Sequence, residues 1–82
     1  MDQINVKRKL IDDLDDKIMK LLDERFNLTK EIGTIKKQIN KEVLDTNREQ
    51  IVLNKTSNYS HFPQIRAIYN TILKESKNDQ RK

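Results

Sequence analysis

Residues 21–37 read LLDERFNLTKEIGTIKK, and this stretch decides the fold. Followed outward in both directions, Ile11, Leu14, Ile18, Leu21, Leu28, Ile32, Ile35 and Ile39 recur at intervals of three or four residues, with one gap of seven across Arg25. That is the stripe of a helix packed against other helices. Arg25 stands where the register calls for the next apolar residue. A guanidinium cannot shed its proton to escape burial, so it needs an anion. Taken alone, Arg25 fits a structural pairing with a glutamate or a register-setting role as well as it fits a ligand site.

The composition points the same way. The chain has 82 residues, enough for one small domain spanning 1–82. It has one glycine and one proline, few strand formers and abundant Leu, Ile, Lys, Glu, Asp and Gln. This predicts an all-α protein. With no cysteine there is neither a disulfide nor a thiolate metal site. No apolar run is long enough to cross a membrane, and the amino terminus does not read as a secretory signal. A cytoplasmic protein is expected. The net charge of +4 favours anionic partners. The signs are interleaved, however, as in MDQINVKRKLIDDLDDK (1–17), where a nucleic-acid surface would be one-signed. Within that stretch IDDLDDK reads as a solvated face with Asp13–Lys17 and Asp16–Lys20 pairs rather than a metal site. Neither a nucleic acid nor a membrane is expected as a partner.

Three helices are predicted. The first runs from about residue 4 to 40 and would be about 54 Å long. A compact monomer of this size is only about 30 Å across. The stripe continues along nearly the whole helix, which favours a second copy packed beside it, hence a homodimer. Gly33 lies inside this helix at a cost of about 1 kcal/mol relative to alanine. It is either a tolerated exposed glycine or a point where a ligand or another helix comes close. A second helix is predicted over about 46–55, with Thr46 and Glu49 at capping-box spacing and Asp45 as another cap. The third is predicted over about 61–78, with Ser60 as its cap and Pro63 in its first turn. Its apolar face is Ile65, Ile68, Tyr69, Ile72 and Leu73. Continued by fours from Ile72, that face becomes Ser76 and then Gln80.

These polar residues on apolar registers form a set. Arg25 and Lys36 are eleven apart, within about 20° of one another on a helix and about 16 Å along it. Two cations therefore line one groove. Arg8 lies about 100° around from Arg25 and so cannot easily serve that groove from its own chain. In a dimer it would reach across. Asp45, Arg48 and Glu49 gather at a helix start, where free donors favour anions. The collection suits a small polyanion with hydroxyls, because arginine forks hold carboxylates in bidentate fashion. His61 has no partner in sequence, and Tyr59 and Phe62 read as packing for the loop.

The ordered set is specific enough to carry a resemblance. Arg8 in VKRKLIDDLD, Arg25 in LLDER, Gly33 and Lys36 in EIGTIKK, Asp45, Arg48 and Glu49 in VLDTNRE, and Ser76 and Gln80 in KESKNDQ follow one another from about residue 4 to about residue 80. This pattern resembles the all-helical chorismate mutases, the AroQ class. The resemblance implies an intertwined homodimer of three-helix chains with two active sites and chorismate as the substrate. It implies that Arg8 is donated to the partner's site. Arg25 and Arg48 would bind carboxylates with help from Arg8 and Ser76. Lys36 and Gln80 would donate to the ether oxygen of the breaking C–O bond. Glu49, with the backbone near Asp45, would meet the substrate hydroxyl. No cofactor and no metal is implied, since the rearrangement of chorismate to prephenate is pericyclic. An empty site would leave Arg25 facing water or a nearby carboxylate. Two other readings compete: an isochorismate–pyruvate lyase of the same fold, and a non-catalytic helical dimer.

Overall fold

The computed structural model describes residues 2–81. It is all-helical: α1 spans Gln3–Gln38, α2 spans Thr46–Lys55, a short 3₁₀ turn covers Thr56–Asn58, and α3 spans Phe62–Gln80. Among the described residues no helix is long and apolar enough to cross a membrane.

Each helix end has a local cause. Asp2 caps α1 by accepting from the Ile4 amide at 3.0 Å. At the other end Asn40 takes a positive φ of 55°, the conformation that stops a helix. The Lys41 amide then donates to the Lys36 carbonyl at 2.8 Å and the Asn40 amide to Lys37 at 3.3 Å. Both bonds satisfy carbonyls that the helix end would leave orphaned. Asp45, rather than a Thr46–Glu49 capping box, starts α2: its Oδ1 accepts from the Arg48 amide at 2.9 Å. α3 begins after His61 with no side-chain cap, so the cap expected of Ser60 does not form. The Phe62 amide instead bonds to Tyr59 O at 3.1 Å, and Pro63 occupies the first turn, where its missing N–H costs nothing.

The molecule is elongated, 58 × 23 × 14 Å, with a radius of gyration of 16.1 Å. A compact chain of this length would have about 12 Å. The reason is that α3 folds back along only the C-terminal half of α1, with α2 packed against α3. α3 packs along Leu22, Phe26, Thr29 and Gly33, all half-buried or buried. This line lies about a third of a turn around α1 from the Leu21–Leu28–Ile32–Ile35–Ile39 part of the apolar stripe. The stripe itself stays exposed: Leu14 is 54%, Ile18 52%, Leu28 58% and Ile35 53% accessible. The buried apolar side chains are few, Val52, Ile72 and Leu73. The Asp13–Lys17 and Asp16–Lys20 pairs do not form, and these exposed charges are simply solvated.

Candidate functional site

Of the four buried polar residues among those described, Thr56 closes the end of α2 and the other three mark the site. Thr29, Ser76 and Gln80 lie in the α1–α3 interface with the bare backbone of Gly33. A Cβ on Gly33 would stand 2.6 Å from both Cα and O of Gln80. Of the two readings of that glycine, the close approach of another helix holds. The approach brings the last turn of α3 against α1, and with it a cleft of about 260 Å³.

Three elements and one loop line this cleft. From α1 come Arg25, Thr29 and Lys36, with Leu28 and Ile32 between them. The loop and α2 supply Val43, Asp45, Arg48 and Glu49. Ser76, Lys77 and Gln80 come from α3, over a floor that includes Leu73. Every residue of the expected set except Arg8 therefore meets in one place. Arg8 is exposed on α1, seventeen positions before Arg25 and hence about 25 Å along the axis.

Arg25 donates through Nη1 to the Ser76 hydroxyl. Ser76 passes its own proton to the Ile72 carbonyl, 2.7 Å away, so its lone pairs are left for the guanidinium. No carboxylate of the described residues pairs with Arg25, and the half-buried arginine faces a neutral hydroxyl instead. Its charge is thus not neutralised within the chain. Lys36 is held by the turn that ends its own helix, with Nζ donating to the Val43 carbonyl at 2.9 Å. The Asp45 carboxylate is engaged as the cap of α2, which anchors the loop and presents Arg48 and Glu49 in the first turn.

Two oxygens are conspicuous. Oε1 of Gln80 is buried without a hydrogen-bond partner among the described residues. Oε2 of Glu49 is buried as well. It has the Lys77 ammonium at 3.2 Å, a separation at which charges attract, but makes no aligned hydrogen bond. Buried polar atoms are normally satisfied, so two such oxygens on residues that line one cleft set the place apart from an ordinary helix interface. The cations Arg25, Lys36, Arg48 and Lys77 face the carboxylates Asp45 and Glu49, leaving a surplus of two positive charges. Chemically, the cleft can hold a small dianion and offer it several fixed donors.

Sequence reasoning overlooked Lys77, the Val43 carbonyl and the tie between Thr29 and Asp79. The Thr29 hydroxyl lies 3.0 Å from Oδ2 of Asp79 and 3.0 Å from the Phe26 carbonyl, which fastens the last turn of α3 to α1. Lys77 carries no signal in the sequence: it adjoins Ser76, but one position along a helix turns it about 100° away, where a lysine reads as solvated.

The comparisons with known proteins agree with this geometry. The family model for chorismate mutase type II matches residues 7–81. A chorismate mutase of Methanocaldococcus jannaschii is 42% identical over 45 residues, which make up 55% of this chain and 46% of that protein. The chain thus spans about half the length of the curated relative it matches. The family match takes in α1 from residue 7 onward, all of α2 and α3 and every residue lining the cleft, and the chain belongs to the chorismate mutase type II family.

Proposed function

We propose that this protein catalyses the rearrangement of chorismate to prephenate, a step toward phenylalanine and tyrosine. The observation that carries this reading is the convergence of Arg25, Lys36, Arg48, Ser76 and Gln80 on one cleft with a positive surplus. The substrate is a dicarboxylate bearing a hydroxyl, a match for that inventory. In the reaction the ether C–O bond breaks while a C–C bond forms, and three electron pairs move around a six-membered ring. No atom or proton enters or leaves. Rate must come from holding the enolpyruvyl arm over the ring and from stabilising charge on the departing ether oxygen.

Arg25, steadied by Ser76, and Arg48 clamp the carboxylates in this reading. Lys36 gives a charged donor to the ether oxygen. Gln80 gives a neutral one through the N–H of its terminal amide. An amide donates without first being protonated, so this residue forces no acidic optimum. Glu49 accepts from the ring hydroxyl. The site is completed by Arg8 of a second copy. The exposed stripe along α1 and the remoteness of Arg8 from its own cleft support an intertwined homodimer. The lack of cysteine fits a reducing compartment, and the cytoplasm is the proposed location.

The test is direct. Purified protein is incubated with chorismate, the loss of its absorbance is followed and the product is identified. Prephenate formed far faster than in the uncatalysed reaction is the expected result. No consumption of chorismate by the folded protein would overturn the reading. Release of pyruvate from isochorismate would then assign the lyase.

A further inference from the structure

Lys77 is the cation of the cleft that has no part in the proposed contacts to substrate. On α3 it follows Ser76, so it is turned about 100° from the face that Ser76 and Gln80 present to α1. That turn aims it at α2, where its Nζ lies 3.2 Å from Oε2 of Glu49. Both side chains are mostly covered, 29% and 25% exposed. A carboxylate oxygen buried without an aligned hydrogen bond is costly unless a cation stands beside it. Among the described residues Lys77 is the only cation paired with Glu49.

We infer that Lys77 is a positioning residue that acts through Glu49. It fixes the Glu49 carboxylate across the α2–α3 boundary and balances its charge, so that a dianion enters a cleft already holding a glutamate. The inference rests on the function proposed above. α2 starts on Asp45 and not on a Thr46–Glu49 capping box, so the Glu49 carboxylate is not spent on the backbone of that helix end. Of the other cleft cations, Arg25 is on Ser76, Lys36 is on the Val43 carbonyl, and the Arg48 side chain makes no ion pair with Glu49 among the described residues.

The charge balance has a kinetic signature. Without the lysine, Glu49 repels the dianion in the ground state and the transition state alike, which raises KM more than it lowers kcat. The experiment measures KM and kcat for the wild type, Lys77→Met, Lys77→Arg, Glu49→Gln and the double variant Glu49→Gln/Lys77→Met, with helicity checked for each. Lys77→Met is expected to raise KM about three- to tenfold, the size of a partly screened charge contact. Lys77→Arg, which keeps the charge, should stay within about twofold of the wild type. In the Glu49→Gln background, removing the lysine should leave KM nearly unchanged, because there is no carboxylate left to balance. An unaltered KM in Lys77→Met, or the same rise in KM whether or not Glu49 is present, overturns the inference. The second result would place Lys77 directly on the substrate. Absence of turnover by the wild type is a different failure: it would overturn the proposed function, and the inference with it.

Discussion

A methyl group on Gly33 would meet the backbone of Gln80, which cannot swing aside as a side chain can. Gly33→Ala should therefore cost about 1–3 kcal/mol through overpacking, against the small gain that alanine gives an open helix. A urea midpoint reads the loss. The same variant should lower kcat/KM, because the turn carrying Gln80 must move outward. Arg25 is the second residue with a sharp expectation. Its charge is met only by a neutral hydroxyl, so Arg25→Ala removes a clamp without leaving a partner carboxylate stranded. Turnover should fall about a hundredfold or more while the helical circular dichroism is retained. Near-normal turnover in the folded variant would dispose of the clamp. Arg25 is legible in sequence because it breaches an apolar register. Lys77 is not, because a lysine near the polar end of a helix looks solvated until the helix is placed beside Glu49.

At the scale of elements, the three-and-four spacing along α1 identifies a long amphipathic helix. It does not say which face meets which partner. α3 takes the Leu22, Phe26, Thr29 and Gly33 line, where small and polar residues permit close approach, and leaves the oilier stripe uncovered. Periodicity reports that a face is apolar, whereas the choice between two faces a third of a turn apart depends on side-chain shape. The ends of the helices follow the same division. Asp45 is readable as a cap, whereas the start of α3, closed by the Phe62 amide on the Tyr59 carbonyl, has no side-chain signature. Asp45→Ala should lower stability by about 1 kcal/mol, seen as a shift of the thermal midpoint. It should also loosen Glu49 and Arg48. The last turn of α3 is tied to α1 by the Thr29–Asp79 contact. Thr29→Val keeps the shape and removes the hydroxyl, leaving a half-buried carboxylate without that donor. Amides near Gln80 should then exchange faster with solvent, while those of α2 keep their protection.

The whole molecule presents an apolar ridge on a body 58 Å long. The proposed dimer makes two predictions at this scale. Leu14→Asp sets a charge on the ridge far from the cleft and should give a monomeric or poorly folded chain by sedimentation. Mixing Arg8→Ala chains with Arg25→Ala chains should restore activity that neither has alone. In each mixed pair one site would be whole and the other would lack both arginines. Random exchange would therefore return roughly a quarter of the wild-type activity. No recovery after demonstrated exchange would argue for a site confined to one chain.

In the proposed dimer the uncovered ridge of α1 also ties stability to abundance. A chain that, among the described residues, buries only the apolar side chains Val52, Ile72 and Leu73 has little core of its own. Mass action then makes the folded fraction a function of how many copies are present. The melting temperature should climb with protein concentration, and refolding should show a second-order phase. Dilution would switch the protein off without altering a single residue of its site.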